Sequence, residues 1–202
     1  MRRKMYRQAS PRLATDAEQR NPLLAGLLAD APPILTPARV SRGSPICSEC
    51  GLADGDLEDF LWLAPQGPVL CRICGLCRTA AWESQRVRLA LVPEWAQNVL
   101  NGMVTVMTVN LMRVQAGEPV SSGIDLAWQS YLLDRLQQRA EATRQMLQGA
   151  ASPARLRQTL RALPPVTRTR VMVELAGLRC LPEPGDPALA RFFNRRCRLP
   201  TP

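Results

Sequence analysis

The chain contains no histidine. It therefore lacks the side chain that most often serves as a general base near neutral pH and as a ligand of catalytic metals. Any transition metal would have to be held by cysteine or carboxylate. Lysine is almost missing as well. Lys4 is the only one, so the formal charge of +9 rests on arginine. The arginines are spread along the whole chain and form no dense block. Their number fits a GC-rich codon bias as readily as it fits nucleic acid, an anionic membrane face or an acidic partner. Aromatic residues make up 4% of the chain, which leaves Leu, Val, Ala and Met to build the core. Long apolar runs are absent too. The most apolar stretch, residues 99–114, is interrupted by Asn101, Thr105, Thr108, Asn110 and Arg113. It is also shorter than the roughly 20 residues that span a bilayer. The first residues, MRRKMYRQASPRLATDAEQR, are basic without an apolar centre and do not read as a secretory signal. The expectation is a cytoplasmic protein. In that compartment, closely spaced cysteines bind metal more often than they form disulfides.

Five of the seven cysteines fall in two short runs, CSECG (47–51) and CRICGLC (71–77). Cys47 with Cys50, and Cys71 with Cys74, each form a C-x2-C pair followed by glycine. Two such pairs at this separation are a strong zinc signature. Each pair supplies one edge of a tetrahedron, and the following glycine can take the backbone angle that a tight turn requires. Four thiolates leave no position for water, so the expected role of the metal is structural. Cys77 is an alternative to Cys71, with Cys74 and Cys77 as the second pair. A helix starting near Cys74 would instead put Cys77 in its first turn, beside the metal and unbound. Cys180 and Cys197 read as small buried apolar residues.

The segment between the pairs, LADGDLEDFLWLAPQGPVL, reads as a hairpin. The acidic run Asp54, Asp56, Glu58 and Asp59 makes a solvated turn, FLWLAP (60–65) a strand, and Gln-Gly-Pro a second turn. Knuckle, hairpin, second pair and helix is the order of a treble-clef zinc module. Residues 45–92 are assigned to that module and residues 1–44 to a basic, proline-containing arm with a short helix at 23–29. Residues 93–202 are assigned to a helical region of four to five helices. A helix is expected from Thr79 through the TAAWESQRVRLA stretch. A buried helix should run from 94 to 115 with Pro93 at its first position, and another from 124 to 147, ended by Gly149. Three more follow, over 152–163, over 166–178, and from Asp186-Pro187 onward. The expected class is α+β, a zinc module packed on a mainly α-helical C-terminal region.

The order of elements resembles the HNH endonuclease fold, with strand LWLAP (61–65) and second pair LCRICG (70–75). By that resemblance Trp62 stands near the position of the catalytic histidine and Gly75 at that of the last histidine. With no histidine in the chain, the resemblance implies a degenerate module without nuclease chemistry. A closer likeness is to the IcmJ/DotN family, a zinc-binding, HNH-like component of type IVB secretion and conjugation systems. CSECG, the triple-cysteine run CRICGLC, LVPEWAQNVLN (91–101), SYLLDRL (130–136), GAASPARLRQTL (149–160) and RALPPVTRTRVMVEL (161–175) carry it. The basic arm departs from that family's pattern. The resemblance implies a non-catalytic adaptor that binds the cytoplasmic C-terminal tail of a coupling ATPase and is recruited to the inner membrane through its complex. On that reading Cys47, Cys50, Cys71 and Cys74 hold one zinc ion, and no residue is catalytic.

The alternative function is a zinc-dependent nucleic-acid-binding or regulatory protein, which the basic charge favours. The most arginine-rich stretch, ARLRQTLRALPPVTRTR (154–170), is split by two prolines and so does not make one recognition helix. Trp62, Trp82, Trp95 and Trp128 are expected in the core, or else as anchors at a partner interface.

Overall fold

The computed structural model describes residues 21–38, 45–53, 56–64, 67–82, 87–121, 123–150, 152–183 and 187–197. Most of the basic arm, Asp54 of the acidic run, Gln66 of the second turn and the capping Asp186 lie outside them. The described residues form a mixed α/β structure with two small antiparallel sheets.

The chain enters through α1 (Pro22–Leu28), whose Leu23 and Leu27 are fully buried. The Asn21 side chain caps this helix, and its Nδ2 donates to the Leu178 carbonyl at 2.7 Å. Next comes β1 (Leu35–Pro37), an edge strand paired antiparallel with β2 (Phe60–Leu63). A 3-10 turn (Leu57–Asp59) leads into β2, which pairs in turn with β3 (Val69–Cys71) in the register Phe60 to Cys71. The hairpin read from FLWL is thus present, and β3 runs directly into α2 (Arg72–Thr79).

The sequence expectation fails after α2. Among the described residues, no helix continues from Thr79. Val87–Leu91 is a strand, β4, paired antiparallel with β5 (Leu178–Pro182) in the register Val87 to Pro182. V-R-L-A-L buries Val87, Leu89 and Ala90 and exposes Arg88. That pattern suits a pleated strand once a partner exists, and the partner lies about ninety positions away. For the same reason the helix expected over 166–178 stops earlier, as α6 (Pro165–Glu174), and the chain turns into β5.

The remaining helices are α3 (Gln97–Gln115), α4 (Leu126–Leu147), α5 (Pro153–Ala162) and α7 (Pro187–Cys197). α4 and α5 open on the side-chain caps Asp125 and Ser152, each accepting from a backbone N–H three residues on. α3 begins later than Pro93 suggests, with Ala96 at its cap.

Two clusters make the core. The larger gathers the cysteine pairs with Leu23 and Leu27 of α1, Leu156 and Leu160 of α5, and Phe192 and Phe193 of α7. The smaller lies between α3, α4, β4 and β5 around Leu100, Val104, Leu136 and Leu181. The arm, module and helical region separated in the sequence reading therefore contribute side chains to one core. Among the described residues, no helix is long and apolar enough to cross a membrane.

Candidate metal centre

The Sγ atoms of Cys47, Cys50, Cys71 and Cys74 all lie within 4.8 Å of one another. Cys50 Sγ and Cys71 Sγ are 3.7 Å apart. Four thiolates about 2.3 Å from one zinc ion would define tetrahedral edges of about 3.8 Å. The donor set and its spacing fit a structural metal ion. Cys47, Cys71 and Cys74 are buried, and Cys50 is half-buried.

Local structure explains how each thiol arrives. Cys47 and Cys50 lie on a tight turn in which the Gly51 N–H donates to the Cys47 carbonyl at 2.9 Å. Gly51 sits at φ +72°, a left-handed conformation that L side chains rarely adopt, so the turn glycine works there as expected. The Ser48 N–H donates to the Val69 carbonyl at 2.9 Å and fastens this turn to β3. Cys71 ends β3 and caps α2, its Sγ accepting from the Cys74 N–H at 3.5 Å. Cys74 lies one turn into the helix. Gly75 differs from Gly51: it is helical. Its role is close packing, because a Cβ there would approach Leu61 Cδ1 of β2 to 2.7 Å.

Without a cation, four facing thiols cannot all ionise. Hydrogen bonds from Cys50, then Cys71 and Cys74, hold Cys47 well below the ordinary thiol range. At Cys50 the opposing hydrogen bond with Cys47 is outweighed by those from Cys71 and Cys74, and the thiol is lowered as well. Cys71 and Cys74 are pushed up, first by their hydrogen bonds to Cys47 and then by those to Cys50. A divalent cation at the centre would remove this conflict by stabilising every thiolate at once.

Cys77 is not part of the quartet. It is fully buried next to Cys180, with its Sγ donating to Asn101 Oδ1 at 3.5 Å. The contact with Cys180 and then burial push its thiol up. The geometry therefore brings together the first-choice pairs and leaves Cys77 out. Cys197, beside the Val109 carbonyl, is a buried thiol raised by desolvation.

The acidic run is not uniformly solvated. Asp56 and Glu58 are exposed, but Asp59 is buried. It accepts from Arg195 Nε at 2.9 Å, which ties α7 to the loop between the cysteine pairs. The adjoining Arg196 donates to the Ala53 carbonyl at 2.6 Å and lies over Phe60 and Phe192. Among the tryptophans, Trp82 and Trp95 pack against the two clusters. Trp82 also carries Arg157 over its ring at 3.5 Å. Trp62 and Trp128 are 38% and 53% exposed and so depart from the core role expected of them.

Two residues near the centre escaped the sequence reading. Asn101 Nδ2 donates to Cys74 Sγ at 3.3 Å, and Gln97 Nε2 donates to Asn101 Oδ1 at 2.9 Å. The signal in the chain is a pair of amides four residues apart, Gln97 and Asn101, at the start of the helix. The sequence reading takes in only Asn101, as one of five interruptions of the apolar stretch 99–114. The helix buries Gln97, Asn101, Thr105 and Thr108 along with Leu100, Val104 and Met107, while Val99, Val106 and Val114 are exposed. No model of a known protein family matches this chain, and no curated protein matches it either.

Proposed function

We propose that the protein is a non-catalytic, zinc-binding adaptor of a type IV secretion or conjugation coupling complex, and that it binds the cytoplasmic tail of the coupling ATPase. One observation carries the structural half of this reading: four cysteine thiols converge within 4.8 Å, in a chain without histidine. Four thiolates fill the coordination shell of zinc and leave no position for an activated water, so the ion would brace the fold. Turn, hairpin, strand and helix follow one another around the cysteines as in a treble clef, and we assign a degenerate HNH-like module on that basis. The adaptor half rests on the resemblance of the quoted motifs to the IcmJ/DotN family.

A cleft of about 800 Å³ between β4, α4 and the start of α5 offers a groove for a peptide segment. Its rim carries Arg88, Arg144 and Arg155 beside Glu141 and Glu183. Arg88 is paired with Glu183 and Arg144 with Glu141, so among the described residues of the rim the excess is the one positive charge of Arg155, which suits an acidic tail.

The test is capture by the immobilised, purified chain at about 0.3 M salt, a concentration that screens loose charge contacts. Retention of a coupling-ATPase tail, weakened by Arg155→Glu, is the expected result. Retention of duplex DNA with a steep salt dependence and no retained tail would replace the adaptor with the nucleic-acid reading.

A further inference from the structure

We infer that Asn101 is a positioning residue of the metal centre, aimed by a one-way relay of amides that starts at the backbone of β5. This inference rests on the reading of the four cysteines as a metal site. The relay begins at Cys180, whose backbone N–H donates to Gln97 Oε1 at 2.8 Å. A backbone N–H can only donate, so it decides which end of the Gln97 amide is oxygen. Gln97 Nε2 must then point the other way, where it donates to the Cys180 carbonyl at 2.8 Å and to Asn101 Oδ1 at 2.9 Å. With its oxygen held there, Asn101 has Nδ2 left to face Cys74. It donates to Cys74 Sγ at 3.3 Å. Asn101 is fully buried and Gln97 nearly so. No water competes for these groups, and an amide facing the wrong way would leave a donor or an acceptor unmade in the core.

The consequence for the metal is specific. A thiolate that accepts an N–H bond disperses part of its charge, which matters where four thiolates crowd one dication. The relay thus supplies a donor at Cys74 from a different element, α3. It also gives the fifth cysteine a place. The Cys77 thiol donates to the same Oδ1 at 3.5 Å and reinforces the orientation of the Asn101 amide while standing outside the quartet.

The experiment uses the full chain loaded with cobalt(II), whose sulfur-to-metal charge-transfer band reports the thiolates directly. Asn101→Leu keeps the volume and removes the donor, and Gln97 Nε2 keeps its bond to the Cys180 carbonyl. The expected results are a charge-transfer band moved to lower energy and zinc affinity, measured by chelator competition, weaker by about 10- to 100-fold. Gln97→Met should move the band in the same direction by less. A second measurement avoids the risk that these variants fold poorly. In the parent chain loaded with cadmium-113, the Asn101 side-chain amide proton should show scalar coupling to cadmium through the Cys74 sulfur. An unmoved band with zinc affinity within about threefold of the parent, or no such coupling, overturns the inference and leaves the metal site standing. A parent chain that takes up no cobalt or cadmium overturns both.

Discussion

Cys71 has two roles that a single substitution can separate. Its backbone ends β3, its Sγ accepts the Cys74 N–H at the start of α2, and the same sulfur lies 3.7 Å from Cys50 Sγ. Serine is a good helix cap and a poor zinc ligand. Cys71→Ser should therefore fail to retain a full equivalent of metal in elemental analysis of the purified protein, even though serine can still cap α2 in whatever fraction stays folded. Cys47→Ser and Cys74→Ser should likewise lose the metal and unfold the module, whereas Cys77→Ser should keep one equivalent. Zinc retained by Cys71→Ser and lost by Cys77→Ser would reassign the ligands. Asp59 is a second residue whose neighbours decide its role. It is buried, its Oδ1 is paired with Arg195, and its Oδ2 has no hydrogen-bond partner among the described residues. Removing the arginine strands a carboxylate in the core. Arg195→Met should lower unfolding free energy by about 3 kcal/mol in urea titrations of the metal-loaded protein. Adding Asp59→Leu to that variant should recover much of the loss, because no buried charge then remains. A double variant no more stable than Arg195→Met would show that the pair is not what holds α7 to the loop.

Among the elements, α3 is buried as the sequence reading expects, but polar side chains share that burial. Its apolar residues recur at helical spacing and the helix forms, yet the side turned toward the cysteines carries Gln97, Asn101 and Thr105. Leu100, Val104 and Met107 face the smaller cluster, so the helix is bound on two sides by different chemistry. The contact of α2 with the first sheet is just as specific. Gly75 leaves room for Leu61, and a methyl group there would meet Leu61 Cδ1 at 2.7 Å. Gly75→Ala should cost up to about 2 kcal/mol, overpacking of about 1–3 kcal/mol being offset by the roughly 1 kcal/mol that alanine gains over glycine in a helix. Leu61→Ala should relieve part of that cost when combined with it, as a double-variant cycle of thermal melts would show. Additive losses would mean that the two side chains do not compete for the same space. The strands β4 and β5 were the elements least legible in the chain. Their pairing partner is distant, and LRCLP is buried at every position, so it shows no alternation to mark a strand.

For the whole molecule, the cysteine quartet is a node of the common core. The larger cluster joins the ligands to α1, α5 and α7. Structural zinc contributes on the order of 10 kcal/mol to small metallo-domains, comparable with the net stability of an entire domain. Stripping the metal with a chelator should therefore unfold much more than residues 45–82. Far-UV circular dichroism, which reports the helices, and tryptophan fluorescence, which includes Trp82 beside the larger cluster, should fall together in one transition. Two well-separated transitions would show that the smaller cluster around α3 and α4 stands alone, contrary to a shared core.

The sequence by itself determined which four cysteines come together, the hairpin between the pairs, the capped starts of α4 and α5, and the absence of histidine chemistry. Each of these is set over a few neighbouring residues, by C-x2-C geometry, turn residues and N-caps. Only the tertiary structure decided that Val87–Leu91 is a strand, that Asp59 is buried against Arg195, and that Gln97 and Asn101 face the cysteines. Those outcomes depend on groups far apart in the chain. Backbone hydrogen bonds of β4 need β5, a buried carboxylate needs a cation from α7, and an amide's orientation needs a backbone donor from Cys180. Local sequence cannot announce partners that only folding brings within reach.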